Sequence, residues 1–151
     1  MQLDIKDRKI LEQLQKDGRM QLTNLAKTIG LSIDSTHKRI KKMQENNIFK
    51  TGILVNPHAL GYTIITNVQI KLHNITEEEL QKMLNHLKQH PNIIELISIL
   101  GDYDLTCVIL AKDTNELNTI ATTIRQKYKT LIADWRSVIN LTVHKFEEYT
   151  F

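Results

Sequence analysis

The stretch from Leu22 to Lys42 constrains this chain most, because it predicts two short helices joined by a tight turn. Apolar residues recur there at the three- and four-residue spacing of one helix face, at Leu22, Leu25, Ala26 and Ile29. Gly30 follows, and glycine commonly supplies the left-handed conformation at a helix C-terminus. Ser32 can then cap a second helix through its hydroxyl. The pattern predicts a helix-turn-helix whose second helix covers roughly residues 33–46.

The predicted second helix has one apolar side and one strongly cationic side. Its inner face is expected to carry Ile33, Thr36, Ile40 and Met43. A helical hairpin with a solvated polar face is the plain alternative. The cations favour DNA, with lysines and Arg39 attracting phosphates and the side chains near the helix start reaching base edges. The expected DNA contacts are Ser32, Asp34, Ser35, Thr36, His37, Lys38, Arg39, Lys41 and Lys42.

The flanking segments complete a small N-terminal domain over residues 1–55. Upstream, Asp4 and Asp7 suit the start of a supporting helix that ends at Asp17-Gly18. Downstream, Ile48 to Val55 has the composition of a strand, which could form a wing or the first strand of a linker. We therefore predict three helices followed by an extended segment, a winged-helix-like arrangement.

Charge is distributed unevenly along the 151 residues. Residues 1–55 contain 11 Lys and Arg against 6 Asp and Glu, whereas residues 56–151 contain 9 against 11. A basic module joined to a mildly acidic one suits a nucleic-acid reader attached to a domain with another task. The single cysteine excludes an intrachain disulfide, and no apolar run approaches a membrane span or a secretion signal. We expect a cytoplasmic protein that does not associate with a membrane.

The second half alternates strand and helix signals after a predicted linker at 56–63. The expected order is a strand at Ile64 to Leu72, a helix capped by Thr76, a hairpin of Ile93 to Leu100 and Leu105 to Ala111, a helix capped by Thr114, and a strand at Val138 to Phe146. This βαββαβ order predicts a ferredoxin-like domain over 64–151 and an α+β protein overall. One sheet face lacks helices, and we expect a second copy of the chain to cover it.

The turn between the two hairpin strands contains the only tight pair of carboxylates in a loop, Asp102 and Asp104. Such a pair could serve acid–base chemistry, hold a metal, or accept hydrogen bonds from backbone donors within the turn. No nucleophile, third ligand or phosphate loop accompanies it. His86 and His90 have a spacing that can hold a metal, but the helix lacks the glutamate of a metalloprotease motif. We predict neither an enzyme nor a metal site.

Over essentially its whole length the chain resembles the Lrp/AsnC (feast/famine) family of transcription regulators. The residues that carry the resemblance are Leu3-Asp4, Asp7, Ile10-Leu11, Asp17-Gly18-Arg19, Leu25-Ala26, Gly30-Leu31-Ser32, His37-Lys38-Arg39, Asn56-Pro57, Leu60-Gly61 and Gly101-Asp102-Tyr103-Asp104. The resemblance implies a homodimer, which in this family often assembles into an octamer, and an amino acid bound near this last turn. Trp135 departs from the family, which tends to carry a small polar residue there.

The resulting expectation is a sequence-selective DNA-binding transcriptional regulator that an amino acid modulates. Its partners would be double-stranded DNA, the amino acid and further copies of the chain, with no other cofactor. The expected effector site comprises Gly101, Asp102, Tyr103, Asp104 and Trp135. The alternative is an architectural protein that wraps DNA with little sequence preference and binds no small molecule.

Overall fold

The computed structural model describes residues 2–151, which divide into two compact units. The first unit contains the chain as far as Leu54 together with His144–Phe151, and the second contains Val55–Val143. The last eight residues therefore lie with the N-terminal unit and not with the C-terminal domain to which we assigned them. No helix within residues 2–151 is long and apolar enough to cross a membrane.

Three helices form the N-terminal unit: α1 (Ile5–Lys16), α2 (Leu22–Ile29) and α3 (Ile33–Glu45). Their apolar faces meet in one core centred on Ile10, Leu25 and Met43, which are almost completely buried. The turn between α2 and α3 has the predicted geometry, because Gly30 adopts a left-handed conformation with φ +69°. The predicted helix-turn-helix is thus confirmed.

Two features of this unit differ from the expectation. Ile33 is half exposed, because it is the first residue of α3 and lies at the end of the apolar stripe that Thr36 and Met43 continue. Residues 48–55 form no strand, and the Ile53 and Leu54 side chains are 87% and 86% exposed. Strand composition alone does not make a strand, since a strand needs a partner for its backbone groups.

The C-terminal domain has the predicted βαββαβ order. Its strands β1 (Ile64–Leu72), β2 (Ile93–Ser98), β3 (Leu105–Ala111) and β4 (Ile132–Ile139) form an antiparallel sheet in the order β2-β3-β1-β4. A short 3₁₀ helix at Pro57–Leu60 precedes the sheet. Thr76 begins the first helix of the domain with a reciprocal capping box to Glu79. The helices of the domain are α4 (Glu77–Lys88) and α5 (Thr114–Lys127).

The core of this domain lies between the two helices and one face of the sheet. Val68 and Ile70 of β1 pack with Met83 of α4 and Ile124 of α5, and all four are fully buried. Cys107 lies in the same core, and burial raises the pKa of its thiol to about 12. The thiol therefore stays protonated at neutral pH and serves as a small apolar side chain.

The last strand and the last helix begin at positions that differ from the prediction. Strand β4 covers Ile132–Ile139 and not Val138 to Phe146, so Trp135 lies within the strand, opposite Ile70. Polar residues interrupt the apolar ones along β4, at Asp134, Arg136 and Ser137, so pairing with β1 defines the strand where the sequence pattern does not. Helix α5 is capped by Asp113, whose carboxylate accepts the Glu116 N–H, and not by Thr114.

His86 of α4 makes the stability of this domain sensitive to pH. Within residues 2–151 its Nδ1 is buried without a hydrogen-bond partner, and its ring centroid lies 5.6 Å from that of Tyr128. Burial, then the charges of Lys127 and His90, lower the pKa of this imidazole below its ordinary 6.5. As pH falls through that ordinary value, the unfolded chain takes up the proton first, and the folded state loses stability.

We predict that His86→Phe reduces the loss of stability between about pH 7 and pH 5. Phenylalanine fills the same space and cannot be protonated. Urea unfolding of the full chain at several pH values would measure the effect, with His73→Phe, at an exposed position, as the control. Identical pH dependence in the wild type and the His86 variant would contradict the assignment.

Candidate nucleic-acid interface and small-ligand loop

The start of helix α3 is built by two of the residues predicted to contact DNA. The Ser32 hydroxyl oxygen accepts the Ser35 N–H at 3.1 Å, as predicted for the cap. The Thr36 hydroxyl donates to the Ser32 carbonyl oxygen at 2.9 Å, and Thr36 is completely buried. Thr36 was therefore wrongly included among the DNA contacts, because its side chain completes the helix start and faces the core.

The outer face of α3 presents three lysines and His37 to solvent. Lys38 pairs with Asp34 at 2.8 Å, and this hydrogen bond raises the pKa of the lysine. Lys41 lies 3.8 Å from Glu45, whereas Lys42 has no carboxylate within 4 Å among residues 2–151. Exposed pairs of this kind contribute little to stability, so a phosphate can replace the carboxylate at low cost.

Arg39 is directed toward helix α1 and not toward solvent. Its Nη1 donates to Asp4 Oδ2 at 2.6 Å and to Asp7 Oδ1 at 2.7 Å. These hydrogen bonds raise the pKa of the guanidinium, while the Asp7 N–H and then Arg39 lower the pKa of Asp4. The expectation that Arg39 attracts phosphate is corrected, because its charge is already satisfied by the two carboxylates.

Sequence reasoning missed that α1 fixes both helices of the helix-turn-helix. Asp4 and Asp7 form a capping box at the start of α1 and also bind Arg39 of α3. Lys6 donates from Nζ to the carbonyl oxygen of Ile29 at 2.5 Å, at the end of α2. A lysine near a helix C-terminus is favourable because it satisfies a free carbonyl. The charged residues of α1 are visible in the sequence, but their role could not be predicted because the groups that they contact lie far along the chain.

In the C-terminal domain, the carboxylate of Asp104 belongs to the turn itself. Its Oδ2 accepts the Leu72 N–H at 2.7 Å, and its backbone N–H donates to the Ile70 carbonyl at 3.1 Å. Asp104 therefore ties the turn to the end of β1. Asp102 is exposed, and a Cβ added at Gly101 would meet no atom within 4 Å. The open part of the turn is thus Gly101 and Asp102.

Tyr103 connects the turn to strand β4. Its hydroxyl donates to Asp134 Oδ2 at 2.8 Å, which raises the pKa of the tyrosine and lowers that of the aspartate. The neighbouring Trp135 packs against the core and donates from Nε1 to the Ser137 hydroxyl oxygen at 2.8 Å. An open groove beside Trp135 is lined by residues of α5, among them Arg125. Sequence reasoning missed Asp134, which no motif marks.

Two family models match the chain. An AsnC-type helix-turn-helix domain matches residues 3–44, and the Lrp/AsnC ligand binding domain matches residues 65–144. The first match contains α1 to α3 with all the predicted DNA contacts. The second contains the sheet, both its helices and the Gly101–Asp104 turn.

Individual relatives agree with these models. The HTH-type transcriptional regulator FL11 of Pyrococcus furiosus is 38% identical over 77% of this chain and 76% of its own length. An AsnC family transcriptional regulator from Agrobacterium tumefaciens has a similar structure, with a TM-score of 0.86 and 26% identity over 97% of this chain and 96% of its own. A transcriptional regulator from Neisseria meningitidis in complex with L-Met has the same fold, with a TM-score of 0.86 and 18% identity over 96% and 94% of the two chains.

We predict that Arg39→Ala lowers the free energy of unfolding of the N-terminal unit by about 2 kcal/mol. The change leaves the buried carboxylate of Asp7 without its cation, and an unpaired buried charge is costly. Urea unfolding followed by circular dichroism would measure it. Lys38→Ala is the matched control, since it removes an exposed ion pair of the same helix. Equal unfolding midpoints for the two variants would show that the ion pairs of Arg39 do not stabilise the fold more than the exposed pair of Lys38 does.

Proposed function

The chain belongs to the Lrp/AsnC family of transcriptional regulators, and from this premise we propose that it binds specific DNA sequences through α3 under the control of an amino acid. It contains the family's DNA-binding helix-turn-helix and its ligand-binding domain. The observation that carries the proposal is the exposed cationic face of α3, held in place by the pairing of Arg39 with α1. The components of the proposal are DNA recognition, assembly and the effector.

Lysines on α3 supply the phosphate attraction in this proposal. Lys42 is free of carboxylates within residues 2–151, and Lys38 and Lys41 can exchange their partners for phosphates. In this proposal His37 and Asp34, which are exposed in the first turns of α3, reach base edges in the major groove. Ser35 is half-buried and contributes at the edge of this set.

A second copy of the chain is the proposed occupant of the uncovered sheet face. Register places Val108 and Val138 on either side of Asn67, on the face opposite the helices, and Ile97 is 45% exposed on the same face. Apolar side chains on an open sheet face favour burial against an identical face. A dimer would present two α3 helices to half-sites about 34 Å apart or a multiple of that. Further assembly, to an octamer, is compatible with this dimer.

The effector in this proposal is an amino acid at the Gly101–Asp104 turn. Asp102 offers an exposed carboxylate for the ammonium group, and Gly101 leaves space for a close approach. The Tyr103 ring, held by Asp134, supplies apolar surface beside the turn, whereas Trp135 packs against the core on the helix side of the sheet. Asp104 acts by positioning the turn, since its carboxylate is bound to the Leu72 N–H. The L-Met complex of the Neisseria relative supports this class of ligand.

We expect selection from random DNA to return a defined sequence, with affinity that falls steeply as salt rises. Lys42→Ala should weaken binding to all sequences about equally and reduce the slope of log affinity against log salt by about one. His37→Ala should instead change the preferred bases. Electrophoretic mobility shifts over a salt series would measure both, with Lys88→Ala of α4 as the control for net charge.

Two outcomes would count against sequence-selective regulation. Weak, phased protection without a preferred sequence would favour an architectural role that wraps DNA. Affinity that does not change between low and physiological salt would remove the phosphate contacts from the proposal.

We predict that Asp102→Asn abolishes amino-acid binding while DNA binding without ligand stays unchanged. The substitution removes the charge that would meet an ammonium group. Asp104→Ala should instead lower stability, because it removes the oxygen that accepts the Leu72 N–H. Calorimetry against each of the twenty amino acids would measure binding. If no amino acid binds the wild type at millimolar concentration, the effector proposal fails, and if Asp102→Asn binds normally, the contact is wrongly assigned.

A further inference from the structure

The C-terminal tail, residues 144–151, packs against the N-terminal unit and forms one side of a groove there. The groove lies between the end of α1 and the segment that follows α3. Tyr149 and Phe151 of the tail line it together with Glu147. On the other side, the tail groove is formed by Leu11, Leu14, Gln15, Ile48, Phe49 and Gly52. The functions assigned above use neither the tail nor this groove.

Gln15 recognises the backbone of the tail at Tyr149. Its Nε2 donates to the Tyr149 carbonyl oxygen at 3.0 Å, and its Oε1 accepts the Tyr149 N–H at 3.0 Å. A glutamine amide thus pairs with both polar groups of one residue, as a neighbouring β-strand would. Extended peptides are commonly recognised in this way, through hydrogen bonds to their main chain and pockets for their neighbouring side chains.

Some side chains of the tail contact the N-terminal unit, and others are exposed to solvent. Phe151 packs against the apolar core of the N-terminal unit, where Phe49 also lies. The rings of Tyr149 and Phe151 lie 6.4 Å apart at 33°. Phe146 is 55% exposed and does not line the groove. Between the exposed Phe146 and the bound Tyr149, the chain turns at Glu147 with φ +45°, a conformation that is uncommon outside glycine.

A docked tail attaches the C-terminal domain to the DNA-binding unit a second time, through noncovalent contacts. The first attachment is the chain at Leu54 and Val55, and the second runs from β4 through residues 140–143 into the tail. Fewer conformations are then open to the DNA-binding unit before DNA is bound. Restricting a binding surface in advance lowers the entropy that binding must remove.

We infer that the side of the tail groove formed by α1 and residues 48–52 is a recognition site for the chain's own C-terminal peptide, and that docking of the tail there restrains the DNA-binding unit for simultaneous contact with two half-sites. The second part rests on the proposed DNA-binding function and deepens it. The first part rests only on the contacts of Gln15, Tyr149 and Phe151.

Hydrogen–deuterium exchange of the full chain, read on peptides covering residues 147–151, tests the docking without DNA. In the wild type the Tyr149 amide should exchange at least about tenfold more slowly than in Gln15→Ala, which removes its acceptor. Phe151→Ala should also speed exchange, whereas Phe146→Ala, a phenylalanine outside the groove, should not. Equal exchange in the wild type, Gln15→Ala and Phe151→Ala would overturn the recognition site.

DNA binding by the same variants tests the restraint. Gln15→Ala, and a chain ending at Glu148, should bind a duplex with two half-sites about three- to tenfold more weakly than the wild type. Their binding to a duplex with one half-site should be unchanged, which separates restraint from damage to α3. Faster tail exchange with unaltered binding to both duplexes would overturn the restraint. If the wild type binds no DNA, the proposed function fails, while the exchange result still decides the docking.

Discussion

The ion pair between Arg39 and Asp7 is the interaction on which the DNA-facing surface depends. Asp7 is buried, and a buried carboxylate destabilises the fold unless a cation and hydrogen bonds compensate it. The same carboxylate completes the capping box of α1, so one side chain fixes both the start of α1 and the placement of α3. With Arg39 committed inward, the lysines of α3 remain as its outward charge. The architecture of the unit therefore decides which cations face a ligand.

Much of the fold could be predicted from the sequence because its signals are local. Gly30, Ser32 and Thr76 each act within one helical turn of their own position, and the structure places all three as predicted. Strand β4 could not be placed in this way, because its bounds depend on pairing with β1. The position of the tail was equally inaccessible, since the pairing of Gln15 with Tyr149 joins residues 134 apart along the chain.

In the candidate sites, too, the sequence shows which side chains are charged but not which groups they contact in the fold. The sequence identified Arg39 and Asp104 as charged residues in the right elements, and both were assigned to ligands. In the structure each meets groups from elsewhere in the fold, Arg39 the carboxylates of α1 and Asp104 the backbone of β1. A sequence displays the charge of a side chain, but only the fold shows whether that charge is already neutralised. Lys42 and Asp102 have no such partner within residues 2–151, so the fold leaves their charges available to a ligand.

The proposed regulation requires a physical connection between the Gly101–Asp104 turn and α3. The contacts offer one continuous route: Tyr103 bonds to Asp134 of β4, β4 leads into the tail, the tail pairs with Gln15 of α1, and α1 holds Arg39. Contiguity alone transmits nothing, because a ligand shifts an equilibrium only by its differential affinity for two states. The structure shows the docked tail, and the restraint inferred above requires a second state in which the tail is released. An effector that binds the turn more tightly in one of these two states would change the affinity of the protein for DNA. DNA would then change the affinity of the protein for the effector by the same factor.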